Sequence, residues 1–402
     1  MKNEALTSRL NGIKDLFSLS GFLAVKEVWR NRTRFLMVSL VIALITLLVL
    51  FIAALGEGLG NGNREYLSKL DGQLIAYQEK SDFLIQSSRL ERGRLASIRR
   101  VDGVREAGML GTANANLILP GAEEPLKIAL LGVEPGHTGE PPAVEGRQLS
   151  TDLANEVVID RNTAVRSGLT VGDTATIRVT QGTRDEFYDL TVVGISDGRQ
   201  YALQPAVFAP FFTWDRVRPK SEAEVSGASV VGNVILIELE NVKEIEAASQ
   251  RILAQVNNIE LATINQAIQA LPGYSAQQST LNTQGAFTLF IGVLVIGGFF
   301  QIQILQKVPQ IGVLKAIGTE NKIVAISSVI QIILVTTVGV LIGGLLAFIF
   351  SLTFPPTVPI VFNGTTTLIA VAALLLIGPI GGLVSIRYAV KIEPLKALGL
   401  ST

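Results

Sequence analysis

A glycine-rich stretch, Gly56-Glu-Gly-Leu-Gly-Asn-Gly62, is the first part of this 402-residue chain with a pattern that could bind a ligand. Glycine-rich loops cradle phosphate groups where they join a strand to a helix. Here an uncharged apolar stretch precedes the glycines, so the pattern favours a flexible exit from a membrane. The sequence has no GxxxxGK[ST] motif, and the chain therefore cannot hydrolyse ATP through a phosphate-binding loop of its own.

Side chains suited to catalysis or metal binding are scarce. The only histidine, His137, lies in the stretch Glu134–Pro142, whose composition is typical of a surface turn, and there is no cysteine. A lone histidine in such a stretch is more often solvated than a metal or haem ligand, and the lack of cysteine excludes disulfides and thiolate metal sites. No nucleophile has a plausible base. We expect no catalytic residue and no metal site.

Three glutamines, Gln301, Gln303 and Gln331, lie in strongly apolar stretches. Such amides could line a substrate path or hydrogen-bond between helices. No ionisable residue accompanies them, which argues against a transporter that relays protons or ions through charged groups at mid-membrane. Energy for any transport must then enter elsewhere.

The apolar stretches predict four transmembrane helices. Residues 36–55 form an uncharged run long enough to cross a hydrocarbon core of about 30 Å, and residues 285–305 form a second. From Ile323 to Ile386 there are 64 residues without a charge, about three times what one span needs. Prolines between Phe354 and Pro359 would break this run, so we predict spans at 323–350 and 367–386.

Glycines in the last two spans have the spacing of close helix contacts. These are Gly339 and Gly343 in the third span and Gly378 and Gly382 in the fourth. Small residues four apart let helix backbones approach in lipid. The alternative is that glycine is simply common in membrane helices; we favour packing.

Charge indicates which parts lie on each side of the membrane. Residues 56–284 contain 29 acidic and 21 basic residues, a net charge of −8, so the rest of the chain carries +8. Basic residues precede the first span, lie between the second and third, and follow the fourth. The positive-inside rule then predicts a multi-pass protein of the cell (inner) membrane with both termini cytoplasmic.

These observations predict a membrane α-helical fold with four transmembrane helices and a large extracytoplasmic α+β domain inserted between helices 1 and 2. The predicted segments, in order, are a cytoplasmic N-terminus with an interfacial helix (1–35), helix 1 (36–55), the external domain and stalk (56–284), helix 2 (285–305), a cytoplasmic loop (306–322), helix 3 (323–350), a short external loop (351–366), helix 4 (367–386) and a cytoplasmic tail (387–402).

The loop between helices 2 and 3 is too apolar to be an ordinary connection. At 100° per residue, Ile311, Val313, Leu314 and Ile317 share one arc, with Lys315 just beyond its edge. This pattern predicts a short helix at the cytoplasmic surface. From the residues alone, a functional surface helix and a plain linker helix remain equal alternatives.

Several motifs in this order resemble one known family. Gln306-Lys-Val-Pro-Gln-Ile-Gly-Val-Leu-Lys-Ala-Ile-Gly318 is similar to the cytoplasmic loop of the MacB/FtsX (type VII) ABC transporter permeases. Phe22–Arg34 resembles the basic helix before the family's first span, Glu156–Asp160 and Leu190–Ile195 resemble parts of its periplasmic core, and Pro394–Leu398 resembles its tail. The likeness covers nearly the whole chain.

The resemblance implies a non-catalytic permease subunit that binds a separate cytoplasmic ABC ATPase, which holds the ATP and Mg²⁺, so this chain itself needs no cofactor. The segment that it implies for ATPase coupling comprises Gln310, Ile311, Gly312, Val313, Leu314, Lys315, Ala316, Ile317 and Gly318. It also implies a homodimer or paralogous heterodimer among membrane lipids, allows a membrane-fusion adaptor protein, and gives no nucleic-acid partner. Many members carry an acidic residue and arginine where this chain has Pro309-Gln310, which leaves the branch of the family open.

Two functions fit the resemblance. The first is ATP-driven export or extraction of a lipid, peptide, drug or haem, in which the permease relays ATP hydrolysis to its external domain. The alternative is a transmembrane regulator that activates an extracellular cell-wall hydrolase without transport. The same architecture serves both.

Overall fold

The computed structural model describes residues 20–119, 121, 123–222, 230–354 and 360–391. In chain order, a leading helix (residues 20–30) is followed by α1 (Arg32–Ser68), β1 (Leu74–Gln78), β2 (Leu90–Glu91), α2 (Arg92–Ile98), β3 (Val104–Ile118), β4 (Leu126–Val133), β5 (Ala143–Gly146), β6 (Glu156–Asp160), α3 (Arg161–Ser167), β7 (Thr174–Gln181), β8 (Arg184–Ser196), β9 (Ala206–Pro210), α4 (Phe211–Val217), β10 (Val231–Gly232), β11 (Val234–Leu239), α5 (Ile245–Gln255), β12 (Ile259–Thr263), α6 (Ile264–Ala270), α7 (Tyr274–Ala316), α8 (Asn321–Thr353) and α9 (Gly364–Lys391).

The chain divides into two compact units. One contains residues Met1–Gly58 and Ser279–Thr402, and the other contains Leu59–Gln278. The first holds the membrane helices and the second is an inserted α+β domain. The predicted break at Phe354–Pro359 and the predicted tail motif Pro394–Leu398 lie largely outside the described residues.

Among the described residues, four helices are long and apolar enough to cross a membrane, namely α1, α7, α8 and α9. Helix α1 has 37 residues and α7 has 43, which correspond to lengths of roughly 55 and 65 Å at the α-helical rise. Both therefore exceed the roughly 30 Å of a hydrocarbon core. The unit boundaries fall inside these same two helices.

The glycine-rich stretch Gly56–Gly62 is helical, so the prediction of a flexible exit was wrong. Glycine costs about 0.5–1 kcal/mol per residue in a helix interior relative to alanine. Helix α7 approaches closely here, since a Cβ on Gly56 would lie only 3.3 Å from Leu281 Cδ1. Asn63 also donates from Nδ2 to Gln277 Oε1 at 3.3 Å. Local composition alone did not reveal these contacts with α7.

The inserted domain is built on a ten-stranded sheet with the order β12-β1-β11-β3-β4-β9-β6-β8-β5. Strand β7 pairs with both β3 and β8. As a result, β3, β4, β9, β6, β8 and β7 form a closed ring of hydrogen-bonded neighbours. The β4–β9 and β6–β8 pairs are parallel, whereas the other pairs in the ring are antiparallel. Closure removes free strand edges in this part of the sheet.

Both faces of the sheet are buried around β1, β4, β6, β9 and β11, which explains why these strands read as apolar runs, whereas β7 alternates between buried and more exposed residues. In β1, Leu74 and Ala76 join one core cluster, while Ile75 and Tyr77 join the other. This is the alternation of side chains expected of an extended strand. Helices α2, α4 and α5 contribute to the first cluster, and α6 and the end of α1 contribute to the second.

Two buried carboxylates stand at opposite ends of β6. Asp160 caps α3 by accepting from the Thr163 N–H at 2.6 Å, and burial raises the pKa of Asp160. Burial also acts to raise the pKa of Glu156, but hydrogen bonds from Arg147 and Ser150 outweigh it and leave that pKa lowered. Asp160 is engaged as the cap of α3, and Glu156 accepts hydrogen bonds from Arg147 and Ser150. Both carboxylates therefore act as structural groups.

Trp214 is the largest side chain packed against the sheet in the first cluster. It is 2 % exposed, stacks on Phe211 with ring centroids 5.5 Å apart, and donates from Nε1 to the Leu130 carbonyl at 3.2 Å. A Cβ at Gly111 or Gly132 would overlap it. The indole therefore fits only because β3 and β4 carry glycine beneath it.

We expect Gly132→Ala to destabilise the inserted domain by about 1–3 kcal/mol, because the new methyl group forces Trp214 from its place. Its Cβ would lie 2.6 Å from Trp214 Cβ. Urea unfolding of the purified protein followed by tryptophan fluorescence measures the change. Trp29 is the only other tryptophan, and Trp29→Phe makes Trp214 the sole reporter.

Gly93→Ala is the matched control, since Gly93 is helical and a Cβ there meets nothing within 4 Å. It should leave stability unchanged or slightly raised. Equal losses for Gly93→Ala and Gly132→Ala would contradict the packing argument.

Candidate functional site

The segment Gln310–Gly318 forms the end of α7 and is not a separate surface helix. Helix α7 runs through Pro309 to Ala316. Gly318 has φ +96°, and the Thr319 N–H donates to the Leu314 carbonyl at 3.0 Å while the Gly318 N–H donates to the Lys315 carbonyl at 3.0 Å. This is a Schellman cap, for which glycine is favoured at the left-handed position. The sequence predicted a separate short helix here, and the structure instead shows the last turns of a long one.

The apolar arc of this segment is divided between the bundle and the outside. Ile311 is 7 % exposed and belongs to a small buried cluster with Ile304 and Val324. Val313 and Ile317, at the other edge of the arc, are 48 % and 75 % exposed. One edge thus attaches the segment to the bundle and the other is free to contact a partner.

The other residues of the segment range from buried to exposed, and one of them contacts α9. Lys315 donates from Nζ to the Val390 carbonyl at 2.6 Å, which ties the segment to the end of α9. Gly312 is buried, whereas Gln310 and Ala316 are exposed, and Leu314 is half-buried.

An ion pair lies next to this segment. Lys307 Nζ is 2.6 Å from Glu27 Oε1, and Gln331 donates from Nε2 to Glu27 Oε2 at 2.6 Å. Lys307 also donates to Gln331 Oε1 at 3.4 Å and lies over the Phe35 ring, 5.6 Å from its centroid. These contacts join the leading helix, α7 and α8. Sequence reasoning missed Glu27, although it is a lone acid within a basic flank.

The predicted intramembrane glutamines have different surroundings. Gln331 belongs to the ion-pair network described above. Gln303 is 3 % exposed, and its Nε2 has no hydrogen-bond partner among the residues that the structure describes. The Oε1 of Gln301 is also buried without a partner within the described part of the chain.

The predicted packing glycines lie at helix contacts. A Cβ on Gly343 would overlap the Ala43 carbonyl and lie 2.6 Å from Thr46 Cβ, and one on Gly339 would lie 2.6 Å from Ile42. These two glycines therefore set the distance between α8 and α1. A Cβ on Gly378 or Gly382 of α9 would overlap Thr336 or Ile332 of α8, respectively.

A third glycine contact was missed by sequence reasoning. A Cβ on Gly297 of α7 would lie 2.8 Å from the Gly381 carbonyl, and one on Gly381 would lie 2.7 Å from the Val293 carbonyl. The signal was present, since Gly297-Gly298 and Gly381-Gly382 are glycine pairs within two predicted spans. Only the fold reveals which glycines face each other.

The lone histidine of the inserted domain lies in a simple surface contact. His137 Nδ1 lies 2.7 Å from Glu106 Oε1 at the surface. Within the described residues, no group of three or more His, Asp or Glu side chains is placed to hold a metal ion.

Comparison with known proteins identifies the class. A model of the MacB-like periplasmic core domain matches residues 35–255, and a model of the FtsX-like permease C-terminal region matches residues 283–394. The chain belongs to the MacB/FtsX family of ABC transporter permeases. It is a multi-pass membrane protein with the family's arrangement of one span, an inserted α+β domain and three further spans.

The chain is also similar to individual transport proteins and to a solved extracellular domain. The chain is 26 % identical over 378 residues to a protein of Staphylococcus haemolyticus named a hemin transport system permease protein, HrtB, covering 94 % of this chain and 99 % of the relative. It is 27 % identical over 142 residues to the macrolide export ATP-binding/permease protein MacB of Agrobacterium fabrum, covering 34 % and 21 %. The solved extracellular domain of the ABC-type transporter YknZ from Gram-positive bacteria aligns with 47 % of this chain and 99 % of its own, at 12 % identity and a TM-score of 0.34. The chain is an ABC transporter permease of the MacB/FtsX type.

We expect Gly343→Ala to lower the thermal stability of the detergent-purified protein, because its methyl group would push α8 away from α1. The neighbouring Gly344 offers a matched control, since a Cβ there meets nothing within 4 Å. Gly344→Ala should be neutral or slightly stabilising. The same loss of stability in both variants would exclude a specific contact at Gly343.

We expect Lys307→Met to destabilise the bundle by about 1–3 kcal/mol, since it leaves the Glu27 carboxylate without its cation. The double variant Glu27→Met/Lys307→Met should recover much of this loss, because removing both charges leaves neither uncompensated. Thermal unfolding of the single and double variants gives the coupling energy. Exposed Lys322 supplies the control Lys322→Met, and strict additivity of the two single changes would show that the pair is uncoupled.

Proposed function

We propose that this chain is the membrane subunit of an ATP-driven export complex and that its substrate is an amphiphile of the hemin class. Similarity along nearly the full length of both chains to a hemin transport permease carries the proposal. Peptides, drugs and lipids are the remaining substrate classes to be compared with hemin. No observation favours the hydrolase-activating alternative, which becomes an outcome of the test below.

A separate ABC ATPase supplies the energy in this proposal. The chain lacks a P-loop motif and its spans lack ionisable groups for ion coupling, and its relatives are ABC permeases. The ATPase would contact the segment Gln310–Gly318 through the exposed edge formed by Val313 and Ile317. The basic residues on both sides of this segment support a cytoplasmic position for it.

Motion would pass from this segment along the helix that carries it. Because Gln310–Ala316 is the last part of α7, a displacement imposed there is applied to a continuous helix and not to a loose loop. Helix α7 begins at Tyr274, within the inserted domain's part of the chain. This continuity supports a mechanism in which ATP binding or hydrolysis acts on the external domain.

The assembly would contain two permease chains and two ATPase chains, as a homodimer or paralogous heterodimer. Both termini would be cytoplasmic, and the inserted domain would lie outside, where an adaptor protein could meet it. ATP and Mg²⁺ would bind to the ATPase and not to this chain.

Reconstitution with the cognate ATPase tests the function. The expected result is ATP-dependent movement of hemin across proteoliposomes and hemin-stimulated ATP hydrolysis. Movement of a peptide, drug or lipid but not of hemin would overturn the substrate class and leave the exporter assignment in place. Activation of an added cell-wall hydrolase with no transported substrate would overturn the exporter assignment.

In the same system, we expect Ile317→Glu to weaken ATPase binding by at least about tenfold, because it places a charge in an apolar contact. Ile317 is 75 % exposed, so this substitution should leave folding intact, whereas half-buried Leu314 would test folding as well. Copurification with the ATPase is the measurement. Val242→Glu, at a 57 % exposed position of the inserted domain, is the control; unchanged ATPase binding by Ile317→Glu would refute this contact.

A further inference from the structure

A cavity of about 590 Å³ lies among the leading helix, α7 and α8, beside the segment Gln310–Gly318. Its walls are mixed in character. Phe300, Ile304, Ile323 and Ile332 supply apolar surface. The charged residues that line it are Lys26, Glu27, Arg30 and Lys307, three cations and one carboxylate.

The single carboxylate is already fully engaged. Glu27 accepts from Lys307 at one oxygen and from Gln331 at the other, each at 2.6 Å. It therefore offsets Lys307 but leaves Lys26 and Arg30 without an acidic partner among the described residues. Within the described residues, the Lys26 ammonium lies over the Phe22 ring, 5.5 Å from its centroid. The cavity thus carries an excess of positive charge.

Gln303 adds a buried hydrogen-bond donor to the cationic side chains of the cavity. Gln303 lines the cavity, is 3 % exposed, and its Nε2 lacks a partner in the part of the chain that the structure describes. Buried amides are usually hydrogen-bonded, and each exception needs an explanation such as a bound group. An acceptor oxygen of a ligand in the cavity would satisfy this N–H.

The level of the cavity relative to the membrane indicates which kind of molecule can supply the ligand. Lys307 follows the uncharged stretch 285–305 by two residues, and Lys26 and Arg30 precede the uncharged stretch 36–55. Charges that immediately flank spans lie at the level of lipid headgroups. Basic pockets between membrane helices bind anionic headgroups, and the apolar walls suit the acyl chain attached to them.

We propose that this cavity binds the headgroup of an anionic phospholipid, with its phosphate near Lys26 and Arg30, an oxygen accepting from Gln303 Nε2, and part of its acyl chain against Phe300 and Ile304. The bound lipid would lie directly beside Leu314, which lines the same cavity. Lipid binding would then support the end of α7 to which the exposed Ile317 belongs.

Titration of the detergent-purified full chain with short-chain phosphatidylglycerol, read by native mass spectrometry and by thermal shift, tests this site. Phosphatidylcholine and inorganic phosphate are the comparison ligands. We expect saturable binding of phosphatidylglycerol with a rise in thermal stability, and neither effect from the other two. Equal binding of phosphatidylcholine would overturn the role of charge, and the same shift from phosphate alone would overturn the assignment to a lipid.

Gln303→Leu and Gln301→Leu form a matched pair of variants. Both remove an amide with an unpartnered buried atom from α7, so neither should destabilise the protein, but only Gln303 lines the cavity. We expect Gln303→Leu to weaken phosphatidylglycerol binding by at least about tenfold through loss of a hydrogen bond to a charged group, and Gln301→Leu to bind as the unmodified chain does. Equal affinities for the two variants would overturn the site.

Two further measurements do not depend on Gln303. Lys26→Ala and Arg30→Ala should each weaken binding by about fivefold, whereas exposed Lys322 lies outside the cavity lining and Lys322→Ala should not. Because the chain has no cysteine, Ser328→Cys places a single thiol in the cavity wall. Phosphatidylglycerol should slow its modification by a maleimide, and an unchanged rate at saturating lipid would contradict the proposal.

Discussion

The hydrocarbon core of a membrane provides no hydrogen-bond partner, and the architecture of this protein follows from that constraint. Every backbone N–H and C=O inside the core must be satisfied within the protein, which leaves helices as the form for these apolar spans. Charges are excluded from the same region, so the stretch from Ile323 to Ile386 carries none. The first charged groups beyond the spans collect at the helix ends, where Lys307 meets Glu27. The polar network therefore marks the limit of the apolar bundle.

Glycine provides the close contacts in both units, although the surroundings differ. In the membrane bundle, Gly339 and Gly343 bring α8 against α1, and Gly297 brings α7 against α9. In the inserted domain, Gly111 and Gly132 make room for the buried Trp214 ring. Apolar side chains gain little from contacting each other in lipid, so close backbone packing replaces the hydrophobic effect there. In the water-exposed domain, the same small residue allows a large aromatic group to be buried.

The energy-coupling proposal follows from the location of the segment Gln310–Gly318 and from the chemistry that the chain lacks. Ile311 anchors the segment in the bundle, and Ile317 is exposed. Since Ile317 directly follows the continuous helix α7, the proposed ATPase contact there would act on that helix. The neighbouring cavity and the Glu27–Lys307–Gln331 network link that helix end to two other elements. The proposed lipid site and the proposed ATPase contact thus lie within a few helical turns of the ion pair.

The sequence by itself determined the four spans, the inserted α+β domain and the family, because apolar length, charge exclusion and motif order are local properties of the chain. It also placed Gly339, Gly343, Gly378 and Gly382 by their spacing. Only the tertiary structure decided that Gly56–Gly62 continues a helix, that β4 pairs with β9, and that one edge of the 311–317 arc is buried. The physical reason is sequence separation: Glu27 and Gln331 are 304 residues apart, and no local periodicity encodes which distant groups the folded chain brings together.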